Sequence, residues 1–199
     1  MTRGSSRAIL CRSARATHRL GCRLGALLEG GDVVALVGDL GAGKTQLVRG
    51  ICEGAGVPPG EVSSPTFAIV ATYRGRLPVH HADLYRLAGL DELHGAGVGE
   101  LVGGPGALLV EWADRIDGWM PAGRLLLRLA DVPGHPTWRR VTIDGAGERH
   151  AALAAALRAR PGGEAVRRAA PRATPRRRGR RSPPRGPGAR PPGRSARWR

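Results

Sequence analysis

"GDLGAGKTQ", residues 38–46, follows directly on the apolar run "VVALV", residues 33–37. Gly38-Asp39-Leu40-Gly41-Ala42-Gly43-Lys44-Thr45 has the spacing GxxxxGK[ST] of a phosphate-binding loop. Its glycines let the backbone come close to phosphate oxygens and take up positive φ. The loop amides then converge at a helix N-terminus, which favours anions. Lys44 is the only lysine in the chain, and the other 31 basic residues are all arginine. A compact ammonium fits a tight phosphate cradle, whereas the wider, planar guanidinium is not a free substitute. The motif therefore predicts that Asp39, Leu40, Gly41, Ala42, Gly43, Lys44, Thr45 and Gln46 contact a nucleotide. Lys44 reaches the β- and γ-phosphates and the Thr45 hydroxyl ligates Mg²⁺.

Working outward, the flanks agree with the loop. "DVVALV" reads as a buried strand, and "KTQLVRGICEGAG" as a helix ended by Gly54 and Gly56. Upstream, Leu20, Leu24, Leu27 and Leu28 recur at helical spacing, with Thr17 as N-cap and Gly30-Gly31 as the stop. Downstream, "TFAIVATYRGRLPVHHADLYRL" predicts two strands joined through Arg74-Gly75-Arg76. "LDELHGAGVGELV" is a short helical stretch interrupted by glycine, and "GALLVEW" a second buried strand. "GRLLLRLADVPGHPTWRRVTIDG" is a hairpin and "ERHAALAAALRAR" a closing helix. The fold class is α/β: a P-loop NTPase with a mostly parallel central sheet flanked by helices, extended by an antiparallel hairpin. The expected organisation is a loose segment at 1–13, a P-loop ATPase domain at 14–160 and a disordered Arg/Pro/Gly-rich tail at 161–199.

Charge locates the tail. The net charge is +16, and residues 161–199 carry 13 arginines against one acid, Glu164, leaving only +4 elsewhere. Such a stretch cannot bury enough surface to offset its ordering entropy. It reads as an arm on tRNA phosphates, as a solvated extension, or as a non-native reading of GC-rich DNA. The start of the chain is equally open, since a start codon downstream of Met1 fits the pattern too. Cys11, Cys22 and Cys52 are dispersed, which argues against a disulfide framework or zinc site and for a reduced, cytoplasmic setting. No apolar run approaches the ~20 residues of a membrane span.

Two acids complete the expected site. Glu111 ends the apolar strand "ALLVE", where a carboxylate holds Mg²⁺ directly or through water. Asp83, after a strand in "HADLYRL", reads either as a carboxylate that polarises the attacking water or binds metal through water, or as a helix N-cap for "LYRL". "SSPT" at 63–66 is either a switch segment on the γ-phosphate or a capped loop. His80 and His81 fall on opposite strand faces, so they do not form a joint metal site. "DVPG" at 131–134 matches the DxxG of G-proteins, but the chain has no Asn and no [NT]KxD, so it reads as a turn. Asp83, Glu111 and Lys44 are thus the expected catalytic residues, with Thr45 and Glu111 as metal ligands. Arg86 is a candidate arginine finger only because it follows Asp83.

"GDLGAGKT", "SSPTFAIV", "HADLYRL", "DELHGAGVGELV" and "LLVEW" occur in that order with short spacers. This combination resembles the bacterial TsaE (YjeE) family of small P-loop ATPases, over roughly Ala16 to Ile143. The resemblance implies a role in making threonylcarbamoyladenosine at position 37 of tRNA, with TsaD and TsaB as partners. ATP hydrolysis there resets the complex and does not carry the transfer chemistry. On this resemblance Lys44 and Thr45 match the phosphate and Mg²⁺ contacts and Thr66 the switch-like segment. Asp83 and Glu111 match the acidic residues, and Trp112 the aromatic beside the second acid. Gln46 stands where the family commonly has Thr or another small polar residue, and the tail lies outside the pattern. Two other classes remain open: a small-molecule P-loop kinase, and a nucleic-acid-binding protein with a vestigial loop.

Overall fold

The computed structural model describes residues 8–65, 68–116 and 118–159. The elements run β1 (Ile9–Cys11), α1 (Ala14–Gly25), β2 (Val33–Val37), α2 (Lys44–Gly54), β3 (Val70–Arg74) and β4 (Pro78–Asp83). Then come α3 (Leu90–Gly95), a 3₁₀ turn (Val98–Leu101), β5 (Ala107–Glu111), β6 (Arg124–Val132), β7 (His135–Ala146) and α4 (Glu148–Arg158). The seven strands form one sheet in the order β1-β7-β6-β2-β5-β4-β3. Its centre is parallel, β2 pairing with both β5 and β6, and β4 with β5. Antiparallel partners close both flanks, β3 on β4 and β7 on β6. The α/β class, the parallel centre and the hairpin extension read from the sequence are all present.

The alternation of β2 explains why it is central. Val34 and Leu36 face a core built with α1, α2 and α4. Val33 and Ala35 face a second core with Leu84, Leu93 and Val98. A strand covered on both faces reads as continuous apolar sequence, as "VVALV" and "ALLV" do.

α1 seats on α2 by close backbone approach. A Cβ on Gly25 would fall on the Ile51 carbonyl, and one on Gly50 would fall on the His18 carbonyl. Side chains larger than hydrogen at these positions would push the helices apart, so the glycines set where α2 lies.

The structure corrects the expected edges. Ile9–Cys11 is not loose: it pairs with Arg139–Val141 at the sheet margin. Its short "ILC" alternation is too brief to stand out against the surrounding Arg and Ser. α1 begins one turn before Thr17, because Ser13 is the N-cap and accepts from the Ala16 N–H at 3.1 Å. Thr17 instead sits inside the helix and donates its hydroxyl hydrogen to the Ser13 carbonyl. The helix ends at Gly25, five residues before the expected Gly30 stop. "DVPG" is a hairpin turn with Gly134 at φ +77°. Thr66 and the 161–199 tail lie outside the described residues. No helix among the described residues is long and apolar enough to cross a membrane.

Candidate nucleotide site

Register places the site. Leu36 lies opposite Glu111, and Asp83 lies opposite Glu111 from the other side. The C-terminal ends of β2, β4 and β5 therefore form one edge. In a parallel sheet that edge is where ligands bind. A cavity of about 330 Å³ opens there, lined by Gly41, Gly43, Lys44, Thr45, Ser64, Asp83, Tyr85, Glu111 and Trp112, with Leu40 at its rim.

The loop turns at glycines. Gly41 and Gly43 hold φ of +80° and +92°, in the left-handed region that side chains avoid. Gly43 is also the N-cap of α2 and offers no side chain, and the helix's first turn carries no acid. The orphan amides of that N-terminus are thus left facing the cavity. Lys44 is only 4% exposed. Its Nζ donates to the Gly38 carbonyl at 2.6 Å and the Asp39 carbonyl at 3.0 Å. It also lies 3.5 Å from the centre of the Trp112 ring. Burial pushes its pKa below the ordinary lysine value, opposed by the charges of Glu111, Asp83, Asp114 and Asp39.

Glu111 is held on both oxygens. Thr45 Oγ1 donates to Oε2 at 3.1 Å, and His81 Nε2 donates to Oε1 at 3.0 Å. Mg²⁺ takes near-octahedral ligands at 2.0–2.1 Å, so neighbouring ligand oxygens stand about 3 Å apart. The separation of Thr45 Oγ1 and Glu111 Oε2 matches that spacing, and both are hard oxygen donors. The donor set fits Mg²⁺.

Asp83 is engaged on both of its oxygens, and the expected helix cap is not among its roles. One oxygen accepts from the Tyr85 N–H at 3.1 Å, and the other accepts from Ser64 Oγ at 3.0 Å. The first contact closes an Asx-type turn, with no helix over Leu84–Leu87 to cap. The second ties the "SSP" segment to the cavity wall.

Other expected contacts scatter. Asp39 turns its side chain outward and contributes its carbonyl. Gln46 lines a different cavity, with His18, Arg49 and Glu53. Arg86 lines a neighbouring cavity of about 360 Å³ that also touches Ser64, Asp83 and Tyr85.

His80 and His81 do face opposite ways: His80 meets Thr72, and His81 is fully buried against Glu111. Sequence reasoning gave His81 no partner. The usable signal was its i, i+2 spacing to Asp83, which puts both on one strand face. Trp112 carries a second signal that no motif shows. Its φ of +58° makes it the sole non-glycine residue in the left-handed region among the described residues. Such strain costs on the order of 1–3 kcal/mol and concentrates at functional sites.

The threonylcarbamoyl adenosine biosynthesis protein TsaE family model matches residues 11–139. The chain is 46% identical over 110 residues to the TsaE protein of Treponema pallidum, covering 55% of this chain and 81% of that protein. With the TsaE protein of Streptomyces coelicolor it shares 41% over 140 residues, 67% of this chain and 93% of the relative. Among solved structures, Bacillus subtilis YdiB superposes with a TM-score of 0.60 at 32% identity, over 76% of this chain and 93% of that one.

Proposed function

This chain belongs to the TsaE family of tRNA threonylcarbamoyladenosine biosynthesis proteins, and we propose that it serves that pathway as a Mg²⁺-dependent ATP hydrolase. The observation that carries the proposal is the pairing of Thr45 Oγ1 with Glu111 Oε2 at the mouth of the glycine loop. Asp83 stands on the adjoining strand. The reaction is in-line attack of water on the γ-phosphate of ATP. Lys44 and the loop amides hold the β- and γ-phosphates, and Glu111, fixed by His81, keeps a constant position at their side. Asp83 orients the attacking water and accepts its proton. Thr45 and Glu111 would hold Mg²⁺, which when bound would supply charge neutralisation for the phosphate oxygens. Catalysis is then positioning plus electrostatics.

TsaD and TsaB are the proposed partners, with tRNA engaged through them or through the basic tail, in the cytoplasm. ATP hydrolysis is to be measured with and without TsaB and TsaD, for wild type, Glu111→Ala and Lys44→Ala. Low activity that rises with the partners and vanishes in both variants supports the proposal. Hydrolysis indifferent to the partners keeps the ATPase and removes the partnership.

A second reading has one observation in its favour. The cavity beside Asp83, lined by Arg86, Leu87 and Glu92, has room for a small acceptor. A kinase using it would consume almost no ATP until the acceptor is supplied, so acceptor-free hydrolysis separates the two readings.

A further inference from the structure

The hairpin extension reaches back to the phosphate loop through one side chain, Arg139 of β7. Its Nε donates to the Ala42 carbonyl at 3.0 Å and its Nη2 to the Gly41 carbonyl at 3.1 Å. Nη1 donates to the carbonyls of Pro136 and Trp138 at 2.8 and 2.7 Å. The Asp131 carboxylate, opposite Arg139 across the hairpin, lies 3.2 Å from Nε. The Arg139 side chain is 18% exposed, and its guanidinium spans four backbone carbonyls, two on the loop and two on its own strand.

We propose that Arg139 is a positioning residue that sets the phosphate-binding conformation of the loop from behind. The inference rests on reading residues 38–45 as the cradle for ATP phosphates. In a trans peptide the C=O and N–H point in opposite directions. Holding the Ala42 carbonyl toward Arg139 therefore turns the Gly43 N–H away from it, toward the cavity that Gly43 lines. The peptide needs such a hold. Gly41 and Gly43 flank it, and glycine is the residue with most backbone freedom to lose. No side chain caps Gly43 from within α2. A guanidinium has donors in a fixed fork and is always charged, so it restrains both carbonyl directions at once. Lysine has one nitrogen and cannot span both carbonyls and the strand. The charge also stands one peptide behind the amides and reinforces their attraction for anions.

The test uses the full chain with Arg139→Gln, Arg139→Lys and Asp131→Asn. ATP affinity is measured by calorimetry, and KM and kcat by hydrolysis. Backbone order parameters of Gly41, Ala42 and Gly43 are read by ¹⁵N relaxation. Expected is a loss of ATP affinity of roughly tenfold or more in Arg139→Gln, carried mainly in KM, with partial recovery in Arg139→Lys. Asp131→Asn, which loses only an exposed partner, should change affinity less than about twofold. The Gly41 and Gly43 amides should become more mobile in Arg139→Gln while β6 and β7 stay ordered. Wild-type ATP affinity with unchanged order parameters in Arg139→Gln overturns the inference. Should Arg139→Gln fail to fold, the same two readouts in Arg139→Lys decide it. If the wild type itself binds no ATP, the reading of the cradle fails, and the order parameters still decide whether Arg139 fixes the loop.

Discussion

His81 and Glu111 form a buried pair, with Nε2 3.0 Å from Oε1 and both side chains almost sealed from solvent. A carboxylate only accepts, so the ring proton sits on Nε2. Nδ1 finds no partner among the described residues. The imidazole thus acts as a fixed donor that turns the other carboxylate oxygen toward Thr45.

Removing that donor should loosen the proposed Mg²⁺ site without emptying the cradle. Partners standing behind a metal ligand are typically worth about 10–100-fold in metal affinity or activity. His81→Ala is expected to raise the Mg²⁺ concentration for half-maximal ATP hydrolysis by roughly that factor. His81→Gln, which keeps an N–H donor, should recover part of it. An unchanged Mg²⁺ titration in His81→Ala, with the fold intact, would show that Glu111 needs no such support.

Lys44 and Trp112 make the site self-reporting. Nζ stands 3.5 Å from the ring centre, while Tyr85 packs against the same indole at 4.8 Å. A phosphate in the loop competes for the ammonium against the Gly38 carbonyl and the ring. ATP is therefore expected to change intrinsic tryptophan fluorescence, and ATP in Trp112→Phe to leave it flat. Lys44→Ala should abolish ATP binding, and Lys44→Arg should not restore it, because the fork is too wide for the cradle. ATP binding by Lys44→Arg at wild-type strength would contradict the reason given for the single lysine.

The elements that the sequence made legible are those with a strong period or a fixed motif. The loop at 38–45, the double-faced strand β2 and the strand ending at Glu111 could be read because apolar runs and glycine spacing carry their own physics. Ser13 as N-cap was hidden behind Thr17, since both residue types cap and only geometry chooses. β1 was invisible because three residues give too little alternation. The acids at the site were found by strand ends, but their second partners were not. His81 with Glu111, Ser64 with Asp83 and Arg139 with the loop join residues 30, 19 and 97 or 98 positions apart. Contacts at such separations are set by sheet order, which local pattern does not encode. Gln46 shows a related limit: it is consecutive with the loop, yet it lines a different cavity, with His18, Arg49 and Glu53.

The α1–α2 crossing gives a prediction about stability. Gly50→Ala adds a methyl group where the His18 carbonyl stands. Alanine gains about 1 kcal/mol of helix propensity over glycine. Overpacking against backbone costs typically about 1–3 kcal/mol, occasionally more, and backbone cannot swing aside as a side chain can. The clash should win, and Gly50→Ala is expected to lower the urea midpoint. The same change at an exposed glycine with open surroundings, Gly99→Ala, should not, since nothing lies near its Cβ position. A Gly50→Ala protein at least as stable as wild type would mean that the helices are not seated this closely.

Acid should weaken the fold through His150. The ring is nearly buried, and Nε2 accepts from the Val33 N–H at 3.3 Å, which requires it unprotonated. Burial pushes its pKa below 6.5; Asp32 pulls the other way, and Arg149 adds to the depression. Arg149 takes up the Asp32 carboxylate in a two-point contact at 3.1 and 2.8 Å, leaving little of that charge for the imidazole. His80 is depressed by burial in the same direction. The unfolded chain gains protons near pH 6.5 while the folded chain resists them, so unfolding takes up protons and stability rises with pH there. The contribution is complete above about pH 6.5 and fades as pH falls through the unfolded value toward the folded one. Thermal unfolding followed from pH 7.5 to 5.5 should show a falling midpoint. His150→Gln, which keeps an acceptor for Val33 but does not titrate, should lose less over the same range. An equal acid loss in His150→Gln and wild type would assign the effect to other groups.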